Sequence, residues 1–335
     1  MAHNITNRDG VFSVRRPMWH SLGTVLSEYP TRQEAQQIAH PWEPITEPLY
    51  RKESGINPYD GSLYETYEPI TEFVVNVRSD DGGMLGVVSS TYEPVNNSEL
   101  YDIAEAIESG DPGAVKYETG GSLKGGAKVW LLLALAEPIK IIGDPNGETI
   151  PYYALQNSHD GSGAFRGQAL ATRIVCDNTS QLADMEAHTR GTEFMFRHTK
   201  NVKDRIEQAQ QALEGWRVGL REWQLFNQHL IAQEVSEEGT QFFIEKFIPA
   251  PPPHLASDRV MTNVLEAQTT WNDILNGPTC ADISHTAYGL VQASVEYAQH
   301  YRKARSEESR FKRAYLDRST IISDAVELAQ EAASV

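Results

Sequence analysis

Phe73, Val75 and Val77 alternate with Val74, Asn76 and Arg78, Asp80-Asp81-Gly82-Gly83 supplies a turn, and Met84 to Ser90 resumes the extended pattern. This period of two predicts a β-hairpin. Asn96-Asn97-Ser98 then offers N-cap oxygens ahead of Leu100, Ile103, Ala104 and Ile107 at helical spacing, with Gly110-Asp111-Pro112 as the stop. A short helix follows from that. From Ala114 the strand pattern returns as AVKYETGGSL, Lys124-Gly125-Gly126 makes a turn, and AKVWLLLALA is apolar on both faces, the mark of a central strand. Ile139 to Ile142, Tyr152 to Gln156 and Ala169 to Cys176 read as further strands around the turn Gly143 to Gly147 and the polar loop Asn157 to Gly163. Short strands between tight turns imply an α+β fold on a mainly antiparallel sheet.

Residues 41 to 69 contain Pro41, Pro44, Pro48, Pro58 and Pro69 and the turn Asn57-Pro58-Tyr59-Asp60 with Gly61, a pattern that predicts an irregular, partly extended region. Beyond Cys176 the period becomes helical. Val202, Ala209, Trp216, Trp223 and Leu230 fall seven apart, with Ile206, Leu213 and Leu220 between them. One seam of a helix of about 30 residues is therefore apolar and requires a partner, either the chain's own sheet, a later helix or another subunit. Phe247 to Pro253, with PAPPP inside it, is a stop; further helices are expected around His285 to Arg305 and Thr320 to Ala333. The chain thus divides into an irregular N-terminal region (1–69), a core α+β domain of antiparallel sheet and helix (70–200) and a helical C-terminal half (201–335).

Composition narrows the function. With 335 residues, 40% hydrophobic and 22% charged, the chain is of globular type, and its longest apolar run, Val129 to Ala136, is far short of a membrane span. Cys176 and Cys280 form no disulfide framework or CxxC motif, which points to a reducing, cytoplasmic setting. The net charge is -17, so nucleic acid is not drawn to the molecule as a whole. The charge is polarised: Glu28 to Glu118 carries 18 acidic and five basic side chains, whereas Phe196 to Glu222 and Tyr301 to Arg318 are locally basic.

Ser158-His159-Asp160 contains the residue types of a hydrolase triad, but sequence neighbours do not stack into nucleophile, base and orienter, so a turn is the better reading. Gly120 to Lys128 has glycines and lysines but not the Walker order, because Ala127 and Val129 stand where Lys-Ser/Thr chemistry is required. It reads as a hairpin tip able to lie along phosphates through bare amides and Lys124. The ten histidines include no HExxH and no zinc-ligand spacing with cysteine, so neither metal nor cofactor is expected and no catalytic residue is nominated. The densest signal places Arg166, Arg173, Arg197, Lys200, Lys203 and Arg205 near Phe165, Phe194 and Phe196, the cation-plus-ring composition of a single-stranded nucleic-acid groove. A solvated helix face, with Arg173 paired to Asp177 or Asp184, is the competing reading.

NSHDGSGAFRGQALATRIVCDNTSQLADMEA, FRHTKNVKDRIEQAQ and HTAYGLVQASVEYAQHYR, together with RRPMWHSLG, YEPVNNSELYDIAEAI and GGAKVWLLLAL, resemble the ordered segments of the phage/plasmid-like protein family, a domain family of unknown function from actinobacterial phages, plasmids and prophages. That family is in turn similar to the single-strand annealing proteins of phage recombination, the Red-beta and Erf kind. The resemblance implies an antiparallel sheet with a long β-hairpin against helices, assembly as a homo-oligomer, and annealing of single-stranded DNA without ATP. Lys124, Lys128, Arg166, Arg173, Arg197, Lys200 and Lys203 would then contact phosphates. The alternative is an acidic, oligomeric interaction protein that engages a host or phage protein through the field of its negative segment and touches no nucleic acid.

Overall fold

The computed structural model describes residues 6–14, 23–108, 115–135, 138–173, 178–181, 193–196, 219–302 and 320–335. The fold is α+β, with antiparallel sheets followed by a helical C-terminal half. The central sheet is built from β1 (Val11–Val14), β2 (Thr24–Leu26), β6 (Val115–Leu123), β7 (Lys128–Leu135), β9 (Glu148–Ser158), β10 (Phe165–Arg173) and β11 (Asn178–Gln181), in the order β11-β10-β9-β7-β6-β1-β2. Short β8 (Ile139–Lys140) pairs with β9, and β12 (Glu193–Phe196) pairs with β10. Every neighbour is antiparallel except β1 and β2.

Strand β7 lies inside this sheet because it has no polar face to present. Val129, Leu131 and Leu133 enter the main core with Phe12, Tyr153, Leu155 and Phe165, while Leu132 and Ala134 enter a second cluster with Tyr152, Ala154 and Leu170 on the other side. The main core is closed by α1 (Arg32–Ala39), α2 (Asn97–Glu108), α3 (219–231), α4 (Glu237–Phe247), α5 (Asp258–Leu275), α6 (Ala287–Glu296) and α7 (Thr320–Ala332). All ten residues of α6 are buried, with α5 and α7 packed against it and α4 packed on α7. Among the described residues no helix is long and apolar enough to cross a membrane.

Of the apolar seam, Val202 through Trp216 lies outside the described residues. Its later part is α3, whose Trp223 and Leu230 are buried in the chain's own core. Helices α4 and α5 are additions to the sequence reading, which passed from the seam ending at Leu230 to the proline stop, missing α4, and from the stop to α6, missing α5. The signal for α4 is present in Ser236, whose side chain accepts from the Gly239 N–H as an N-cap.

The proline-rich N-terminal region requires a correction. Instead of an irregular segment it contains β3 (Pro44–Ile56) and β4 (Leu63–Arg78), which with β5 (Met84–Ser89) form a separate three-stranded sheet in the order β3-β4-β5. The prolines are tolerated by their positions. Pro44 opens an edge strand, and Pro48 sits at a register shift. Pro69 lies where β4 has no neighbour beyond β3, because β5 pairs only with Phe73 to Val77. The Asn57 to Ser62 segment is the turn the sequence predicts: Gly61 N–H donates to the Asn57 carbonyl and has φ +71°.

Candidate functional site

Three segments at one end of the central sheet, carrying Arg8, Gly125 and His159, meet Asn76 and Arg78 at the base of the smaller sheet. There the His159 ring turns away from Ser158 and Asp160. Ser158 Oγ donates to Asp160 Oδ1 at 2.5 Å, whereas the His159 ring turns inward and its Nε2 donates to Asn97 Oδ1 at 2.9 Å. Asn97 Nδ2 in turn donates to the Trp42 carbonyl at 2.8 Å, and the His159 carbonyl accepts from Asn76 Nδ2 of β4 at 2.8 Å. A Ser-His contact, which nucleophilic catalysis requires, is replaced by links between segments. These links hold the two sheets together. Removing the Asn97 side chain leaves the Trp42 carbonyl and the His159 N–H buried without it, so Asn97→Ala is expected to cost about 2 kcal/mol in urea unfolding.

Arg78, buried at the end of β4, donates to both Asp80 oxygens, to the Arg8 carbonyl and to the Gly125 carbonyl, and its guanidinium lies 4.5 Å from the Trp42 ring centroid. Its hydrogen bonds hold the Asp80 carboxyl below the usual value. Arg8 pairs with Asp81 at 3.3 Å.

The glycine-flanked tip is already occupied by a carboxylate. Gly125 N–H donates to Asp9 Oδ2 at 3.0 Å, and Asp9 also accepts from Ser122 Oγ and from Thr6. The amide expected to be free for phosphate therefore holds an internal anion. Lys124 itself is exposed, in the left-handed region at φ +56°. Lys128, at the start of β7, lies opposite Ser158, and Arg166 pairs across β10 with Gln156 and Met195. Backbone spacing puts Lys128 and Arg166 about 12 Å apart. Burial pushes the Asp160 carboxyl up, but hydrogen bonds from Ser158 and Ser162 and the nearby Lys128 ammonium outweigh it and the net shift is downward. The structure thus gathers Lys124, Lys128 and Arg166 at one end of the sheet among Asp9, Asp80, Asp81 and Asp160. Arg173 sits seven residues further along β10, about 23 Å from Arg166. Arg197, Lys200 and Lys203 lie outside the described residues.

The feature that sequence reasoning missed is an arm. Beyond the shift at Pro48/Leu49, β3 and β4 continue through eight cross-strand pairs, from Leu49–Ile70 to Ile56–Leu63, with no third strand and no core beneath them. Its length is about 26 Å. Alternation places Tyr50, Lys52, Ser54 and Ile56 on one face with their partners Pro69, Tyr67, Glu65 and Leu63. That face is apolar apart from Ser54 and the Lys52–Glu65 ion pair, and its large residues are open to solvent: Tyr50 is 53%, Ile56 66%, Leu63 83% and Tyr67 60% exposed. The opposite face carries Arg51, paired with Glu53 and Glu68. A legible signal existed in the near-symmetric run LYRKESGI and LYETYEPI about the NPYDGS turn.

A cleft of about 560 Å³ also opens between α4, the wide turn Tyr297–Tyr301 and α7, lined by Lys246, Arg302, Asp324, Glu327 and Glu331 among apolar residues. Among the described residues no group of three His, Cys, Asp or Glu side chains is placed to hold a metal ion.

Fold and surfaces together define an α+β protein that projects an amphipathic β-ribbon from its body. The chain belongs to the family described as Domain of unknown function (DUF932), whose profile matches residues 84–317 and so begins at the first residue of β5, after the arm. No curated protein and no solved structure matches it.

Proposed function

We propose that this protein is an acidic interaction protein that docks protein partners through the β3–β4 arm. The observation that carries this reading is the open face of Tyr50, Ile56, Leu63, Tyr67 and Pro69, because large apolar side chains gathered on one exposed face are a mark of protein contact. The aromatic rings there suit base stacking as well, but phosphate binding requires free cations beside them. The arm's two cations, Arg51 and Lys52, are both paired with glutamates.

The second reading is annealing of complementary DNA strands in phage-type recombination, as a homo-oligomer without ATP. Two features favour it: the antiparallel sheet with a long hairpin, and exposed Lys124, which makes no ion pair among the described residues. An electrophoretic shift with a single-stranded oligonucleotide at 50 and 200 mM salt separates the two. The docking reading expects no retention at either salt. Retention that salt weakens, with a log–log salt slope reduced by about 2 when Arg173, Arg197 and Lys200 are all replaced by Ala, would support the annealing reading instead.

A further inference from the structure

We infer that the arm's occupant is a second copy of this chain, the two ribbons packing apolar face to apolar face about a twofold axis. This rests on the docking reading above and names its partner. A twofold contact requires a patch that is its own complement. The arm's face has that property. Its four rungs run Tyr50·Pro69, Lys52·Tyr67, Ser54·Glu65 and Ile56·Leu63, with apolar residues at both ends and one charge of each sign in the middle. An axis midway along the face and perpendicular to the strands lays Tyr50·Pro69 against Ile56·Leu63 of the second copy. It also sets Lys52 beside Glu65 of the second copy, twice. No charge meets its like.

The area suffices. Covering the apolar stripe removes about 600 Å² per copy, and about 1,200 Å² for the pair reaches the lower bound of specific interfaces. The net charge of -17 opposes association of the bodies, yet an arm about 26 Å long holds them further apart than the screening length of about 8 Å at physiological salt.

Sedimentation equilibrium of the full chain at tens of micromolar tests this. The expected mass is about 75 kDa, twice the 37.4 kDa chain, and Leu63→Ser with Tyr67→Ser returns it to monomer with unchanged circular dichroism. Lys52→Glu and Glu65→Lys each place like charges across the axis and weaken the dimer about tenfold or more when alone. Mixed together they restore it, since both carboxylates on the face of the first variant then meet lysines of the second. A monomeric wild-type chain overturns the inference, and so does a dimer indifferent to these arm substitutions or a mixture that does not recover. DNA retention that requires the arm would sink the docking reading itself, whereas a monomer that retains no DNA sinks only the second-copy assignment.

Discussion

Gly126→Ala is expected to lower the unfolding free energy by about 4 kcal/mol, measured as a shift in urea midpoint at constant slope. Gly126 has φ +103°, and a Cβ built on it falls 2.5 Å from Trp42 Cζ2 and 2.7 Å from Cη2. The backbone strain alone costs about 1–2 kcal/mol. The rest comes from displacing the buried Trp42 ring. Its ring is buried beneath the Arg78 guanidinium and edge-on to His159, with ring centroids 5.6 Å apart. Forcing such a ring aside adds about 1–3 kcal/mol. Gly61→Ala at the arm's turn provides the contrast, because φ is +71° there but nothing lies within 4 Å of the new Cβ. Only about 1 kcal/mol of strain is expected. Equal losses in the two variants would show that Trp42 yields freely and that the junction of the two sheets is not tightly packed.

Stability is expected to fall by up to about 3 kcal/mol as pH is lowered from 7 to 4, through His40. The ring is wholly buried at the end of α1, where Nε2–H donates to the Gly121 carbonyl and Nδ1 accepts from the Tyr101 hydroxyl, both at 2.8 Å. Burial pushes its pKa down to about 4, and the Gly121 hydrogen bond offsets this only in part. Between pH 6.5 and 4 the unfolded chain binds the proton and the folded chain does not. The contribution is complete above pH 6.5 and is lost as pH falls towards 4. Asp80, held low by Arg78, acts in the same direction but in a lower window, below the ordinary carboxylate range. In His40→Gln, which keeps a donor for Gly121, the dependence between pH 6.5 and 4.5 should flatten relative to wild type. Identical slopes for the two proteins over that interval would mean the ring is protonated in the native state.

Much of the fold was legible because it is written locally. Strand β7 announces itself as an uninterrupted apolar run, α2 by its spacing and stop, and the arm's turn by Asn57-Pro58-Tyr59-Asp60-Gly61. The strands flanking that turn were obscured by Pro44, Pro48 and Pro69. A proline forbids a strand only where its missing N–H is needed, and edge position is not a local property. Helix α5 was obscured for a related reason: of its eighteen residues only Trp271, Ile274 and Leu275 are buried, too few to show a periodic stripe.

The sequence by itself therefore determined the α+β class, the boundaries of β5, β6 and β7, the turn at Ser158-His159-Asp160 and the excess of negative charge, since periodicity and turn chemistry depend on residues a few positions apart. Only the tertiary structure decided that His159 answers to Asn97, 62 residues away, and that Arg78 caps the Arg8 carbonyl across 70 residues. It also decided that Asp9 fills the glycine tip, and that the arm's apolar face stands clear of any core. Those outcomes depend on which distant segments meet when the chain closes, and short-range patterning carries no record of that.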